Sequence, residues 1–129
     1  MRAIIAGKRD FTDKQFAFKT LDAIFKKTGM PDEIIEGGAK GADALGHAYA
    51  KERGIATKRF PAAWSLHGKA AGPIRNRQMA EYAHKSQDGK AMLIAFWDGS
   101  SRGTANMIKT AEGMGIDVNV VNIGDTENG

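Results

Sequence analysis

The apolar positions of the chain fall into blocks that switch between two periods. Short continuous runs at residues 2–6, 33–36, 55–60, 92–97 and 118–122 read as strands, with 92–97 the most apolar and therefore central. Between them, apolar residues recur three and four apart, the spacing of one helix face. Phe18, Leu21, Ile24 and Phe25 mark the first such face, and Leu45, Ala48 and Tyr49 the second. Ile74, Met79, Ala80 and Ala83 mark the third, and Met107, Ile108, Ala111 and Met114 the fourth. The punctuation agrees: Thr12 and Gln15 form a capping-box spacing, Gly29 with Pro31 stops the first helix, and Gly54 and Gly115 close the second and fourth. The third helix is predicted from Pro73 or Ile74 to about Lys85. Residues 61–73 show no periodicity and read as one long loop, the kind that carries function.

Strands that alternate with helices require crossover connections, which make parallel sheets. The predicted fold class is therefore α/β: a single Rossmann-like domain over residues 1–123, with a parallel sheet of about five strands, helices on both faces, and a flexible tail at 124–129. Ligands of such sheets bind beyond the carboxyl ends of the strands. The loops leaving those ends are the informative ones. The first is Gly7-Lys8-Arg9-Asp10-Phe11, the second Gly37-Gly38-Ala39-Lys40-Gly41-Ala42-Asp43, and the fourth Asp98-Gly99-Ser100-Ser101-Arg102-Gly103-Thr104. Two glycine turns, each running into a helix N-terminus, predict a phosphate cradle.

Composition narrows the chemistry. The chain has no cysteine, which removes disulfides, thiolate metal sites and cysteine nucleophiles. His47, His67 and His84 lack ligand-like spacing, so neither a metal nor a cofactor is expected. A net charge of +4 favours anionic partners, and its spread along the chain keeps both nucleotides and nucleic acid open. No run reaches membrane-spanning length and no secretory leader is visible, so a cytoplasmic protein without membrane partners is expected.

Gly37, Gly38, Gly41, Gly99, Gly103 and Thr104 are the predicted phosphate contacts, with Gly7 and Arg9 beside them. Arg75, whose guanidinium fork suits a phosphate, is the principal candidate to neutralise it. Arg77 lies about 200 degrees round the helix and is read as pairing with a carboxylate. Lys40, Lys69 and Arg102 share the predicted edge as ligand contacts or solvated charges. Asp43 caps or braces its helix, or accepts from a ribose hydroxyl. Asn106 bonds ligand or backbone, Trp64 stacks on a base or anchors its loop, and His47 reads as a packed or surface histidine.

The segment from Glu36 to Ala44 resembles the Ser-Gly-x-Ala-x-Gly-Ile-Asp segment of DprA proteins, and Pro73-Ile74-Arg75-Asn76-Arg77 resembles their Pro-x-Arg-Asn-Arg segment. Arg75 and Met79 with Gly103-Thr104 are similar to motifs of the LOG phosphoribohydrolases. Both families belong to the SLOG superfamily of Rossmann-like nucleotide binders. The pattern that joins Gly7–Phe11, the glycine turn, Trp64, residues 68–77 and Arg102–Met107 most resembles the small YspA-like branch. The resemblance implies a nucleotide-derived ligand, Asn76 and Asn106 among its contacts, and homo-oligomers. The sequence departs at Ala63, where an acidic residue is expected, and at Asp98-Gly99-Ser100-Ser101 in place of Pro-Gly-Gly. It also lacks a carboxylate after Gly103-Thr104 before Glu112, where the hydrolases place a key glutamate.

The first functional expectation is therefore binding, sensing or sequestration of a nucleotide-derived ligand of ADP-ribose or cyclic-nucleotide type. The second is an N-glycosidic phosphoribohydrolase with Arg75, Asp43 and Asp98 as catalytic candidates. The third is DprA-like binding of single-stranded DNA, with Trp64 and Phe11 as the stacking aromatics.

Overall fold

The structure, a computed structural model, describes residues 1–124. Residues 125–129, most of the predicted tail at 124–129, lie outside the described residues. Five strands, β1 (Arg2–Gly7), β2 (Glu33–Glu36), β3 (Ala56–Arg59), β4 (Ala91–Trp97) and β5 (Asp117–Asn122), run parallel in the order β3-β2-β1-β4-β5. The helices are α1 (Lys14–Thr28), α2 (Ala42–Arg53), the short α3 (Trp64–His67), α4 (Ala71–His84) and α5 (Arg102–Gly113), with a 3₁₀ turn over Gly68–Ala70 leading into α4. This is an α/β, Rossmann-like fold.

The alternation of side chains along the central strands makes the two layers. Ala3 and Ile5 of β1 pack with Phe18, Leu21 and Phe25 of α1 and Tyr49 and Ala50 of α2. Ile4 and Ala6 face the other way, onto Met79, Ala80 and Ala83 of α4 and Met107, Ile108 and Ala111 of α5. Both faces are covered, so β1 and β4 read as continuous apolar runs rather than alternating ones. The chain steps outward from β1 to β2 and β3 through α1 and α2. It then crosses back over the opposite face through α4 to enter β4. The direction of winding reverses between β1 and β4, and a crevice opens above their carboxyl ends.

Three local expectations change. Asp13, not Thr12, caps α1: its side chain accepts from Phe16 N at 3.0 Å, and an aspartate at that position takes the role the Thr-Gln spacing suggested. Strand β3 is one residue shorter at each end than the apolar run. The long loop is largely helical, because α3, the 3₁₀ turn and α4 follow one another and α4 starts at Ala71. Pro73 therefore sits in its first turn, where the missing amide hydrogen costs no helical bond.

Candidate ligand-binding site

A cavity of about 690 Å³ occupies the crevice between β1 and β4, within the range of small-molecule sites. Gly7, Lys8, Arg9 and Asp10 line it from the end of β1, and Ala39 and Asp43 from the second loop and the start of α2. Trp64, Lys69, Arg75, Asn76 and Met79 line it from the α3–α4 side. Ser101, Arg102, Gly103, Thr104, Asn106 and Met107 complete it from α5. Five cationic side chains thus face two carboxylates, a balance that favours an anionic guest.

Gly37, Gly38, Lys40, Gly41 and Gly99, predicted as ligand contacts, are not among the lining residues. Three amides of the first glycine turn are bonded to carboxylates of the protein. Gly37 N and Ala39 N both donate to Asp43 Oδ2, at 3.0 and 3.3 Å, and Gly38 N donates to Glu36 Oε1 at 2.5 Å. Gly41, at φ 75°, lets the loop pass under the end of β1. A Cβ there would overlap the carbonyl oxygens of Lys8 and Arg9, and the next amide, Ala42 N, donates to Lys8 O at 3.2 Å. Gly41 serves the close passage of the two loops.

Asp43 is nearly inaccessible, 5% exposed, and its carboxyl is pushed up to about 6. Burial is the cause; the Ala39 and Gly37 amides and the nearby Arg75 guanidinium pull the other way without cancelling it. Glu36, fully buried, was not singled out by its sequence. Its Oε2 takes a 2.7 Å bond from Arg59 Nε, and its Oε1 holds the Gly38 amide. The signal lay in the strand register: Glu36 and Arg59 are partners across β2 and β3. His47 lies on the same side, with Nδ1 3.6 Å from Glu36 Oε2 and outside the cavity lining.

The Arg75-Asn76 pair ties the two glycine turns together. Arg75 Nη1 donates to Gly37 O at 2.9 Å, and Arg75 Nε donates to Asn76 Oδ1 at 3.1 Å. Asn76 Nδ2 then donates to Asn106 Oδ1 at 2.9 Å and to Gly103 O at 3.2 Å. A hydrogen-bonded belt runs from β2 through α4 to the first turn of α5. Arg77 points elsewhere, 70% exposed and 3.4 Å from Glu81.

At α5 the amides are differently disposed. The intrahelical ladder begins with Ala105 N to Ser101 O, so the amides of Arg102, Gly103 and Thr104 precede it, and all three residues line the cavity. Asp98 is not a lining residue; its Oδ1 accepts from Ser100 N and Ser101 N, which hold the carboxyl well below its usual range, and Lys8 Nζ stands 3.6 Å from Oδ2. The aspartate fixes the turn that presents α5. Trp64 is half exposed above the cavity and packs over Gly72, whereas Phe11, expected as a second stacking surface, lies stacked on Phe96 with centroids 5.1 Å apart. Among the described residues no group of three or more histidines and carboxylates is placed to hold a metal, and no helix is long and apolar enough to cross a membrane.

The model of the YspA, cpYpsA-related SLOG family (YAcAr) matches residues 1–67, just over half of the chain. The chain belongs to the YspA-related SLOG family. This SLOG protein is also similar to the Gene 61 protein of Mycobacterium phage D29, 30% identical over 129 residues that cover 96% of this chain and 97% of that one. The family match spans β1 through α3, and therefore the glycine turn, Asp43 and Trp64. Arg75, Asn76 and the α5 turn lie beyond it.

Proposed function

We propose that this SLOG protein binds a nucleotide or nucleotide-derived phosphate ester in the crevice between β1 and β4, and that it acts in the cytoplasm as a binding, sensing or sequestering protein. Family membership supports a nucleotide-related ligand in general terms. The observation that carries the reading is the first turn of α5: Arg102, Gly103 and the buried Thr104, whose amides precede the helix ladder, line a cavity at the switch point together with the cations Lys8 and Arg9. A helix N-terminus there favours a phosphate through both its dipole and its unpaired amides. Arg75 stands nearer Asp43, with one arm of its fork given to Gly37 O.

The test is thermal stability with AMP, ADP-ribose, NAD, a cyclic dinucleotide and a short oligothymidine, on wild type, Arg102→Glu and Thr104→Val. A ligand at about a hundred times its dissociation constant adds ~2.7 kcal/mol of stability. A shift with one nucleotide class that shrinks in both variants is expected. A shift with the oligothymidine alone, falling steeply with salt, would replace this reading with single-stranded DNA binding.

A hydrolytic reading has one observation in its favour, the buried Asp43 carboxyl raised to about 6 and so able to exchange a proton near neutrality. Against it, Asn106 stands on α5 with its Oδ1 already bonded to Asn76, and the following residues Met107 and Ile108 are apolar. Release of a free base or nicotinamide from the same ligands would establish turnover.

A further inference from the structure

We infer that Asp43 reads a free sugar hydroxyl, so that the cavity selects ribose-bearing phosphate esters over their deoxy counterparts. The inference rests on the nucleotide reading and adds the class of sugar to it.

Both amides that brace Asp43 land on one oxygen, Oδ2. The other oxygen, Oδ1, has no hydrogen-bond partner among the described residues, although the residue is 5% exposed and lines the cavity. That oxygen is open to the cavity, where a donor on a guest can reach it. The donor cannot come from the phosphate, which is acceptor-only when fully ionised and would be repelled by the carboxylate. Lys8 and the α5 residues Arg102, Gly103 and Thr104 line the same cavity and supply cations and a helix N-terminus that suit an anion. A guest that meets both sets of residues carries an anionic group and, separately, a neutral donor.

Beside Asp43 stands Arg75, whose Nη1 and Nε are engaged by Gly37 O and Asn76 Oδ1, leaving Nη2 without a partner among the described residues. An acceptor and a donor side by side match a hydroxyl, which gives and receives. The acidic residue at the end of the second strand, where many dinucleotide-binding sheets hold the ribose, has no such freedom here. Glu36 is fully buried and spent on Gly38 N and Arg59. Asp43, one turn of chain later, is the carboxylate with an oxygen to spare.

Asp43→Asn makes a sharp probe. The two bracing amides require an oxygen at the Oδ2 position, so the asparagine NH₂ takes the place of Oδ1 and the cavity meets a donor where it had an acceptor. The experiment is calorimetric titration of AMP and ADP-ribose, each against its 2′-deoxy and 3′-deoxy form, on wild type and on Asp43→Asn, with circular dichroism to check the variant's fold. Wild type is expected to bind at least one ribo ligand about 10-fold or more tightly than a deoxy form, and Asp43→Asn to bring the pair within about 2-fold. The wild-type comparison stands by itself if the variant does not fold. Equal wild-type affinity for ribo and deoxy ligands overturns the inference and leaves the nucleotide reading intact. A preference that survives unchanged in a folded Asp43→Asn overturns the assignment to this residue. Absence of binding by every ligand removes the nucleotide reading and this inference with it.

Discussion

Arg75 Nε donates to Asn76 Oδ1 over 3.1 Å although the two are consecutive residues of one helix. Neighbours on a helix diverge by about 100 degrees, so the bond turns the guanidinium along α4 and delivers Nη1 to Gly37 O. Lysine carries the same charge but cannot serve both acceptors with a rigid fork. Arg75→Lys is expected to behave like Arg75→Ala, each losing about 1–3 kcal/mol in urea unfolding and each losing ligand-induced stabilisation. Full ligand response in Arg75→Lys would show that charge, not the belt, is what the site needs.

The two flanking residues of the motif should separate cleanly. Asn76 is 4% exposed with both ends of its amide engaged, so Asn76→Ala strands Gly103 O, Asn106 Oδ1 and Arg75 Nε and costs roughly 2–3 kcal/mol. Arg77→Ala removes only an exposed pair with Glu81 and stays within about 0.5 kcal/mol. Paired denaturation curves compare them directly.

Asp43 gives stability a pH dependence of unusual sign for a carboxylate. Its folded-state value of about 6 lies above the ordinary 3.8, so the protonated form favours the fold, fully below pH 4, and this contribution fades as pH rises through 6. The gap between the two values corresponds to ~3 kcal/mol. Wild-type stability minus that of Asp43→Asn is expected to fall between pH 4 and 7 and stay level above. A difference that is flat or rising across that window would mean the carboxyl is ionised throughout.

Gly41 and Gly99 both have positive φ, 75° and 86°, yet only at Gly41 does a Cβ meet the backbone of another loop. Gly99→Ala carries the conformational cost alone, about 1 kcal/mol. Gly41→Ala adds a backbone collision with Lys8 and Arg9 and is expected to cost about 3 kcal/mol or more or to prevent folding. Melting temperatures of the two variants provide the comparison.

The strands, the four long helices and the edge that carries the cavity were legible because each rests on a period or a strand end. What a period cannot report is which hydrogen-bond partner an amide will choose. Gly37 and Gly38 look the same in sequence whether their amides meet a phosphate or a carboxylate, and here Asp43 and Glu36 claim them. The start of α4 was hidden for a related reason: Pro73 signals a first turn, and it was the residues before it, Ala71 and Gly72, that carried no mark. Asn76 gave no hint of its belt, since both acceptors of its amide NH₂ come from α5, some thirty residues on.

The close passage of Gly41 beneath Lys8 and Arg9, secured by Ala42 N on Lys8 O, has a consequence for transplanting specificity between relatives. The first and second loops behave as one interlocked part, so residues 7–11 and 37–43 must be exchanged together. The α5 turn carries its own Asp98 brace, but Asn76 of α4 holds Gly103 O and Asn106 Oδ1, so that turn travels with its α4 partner.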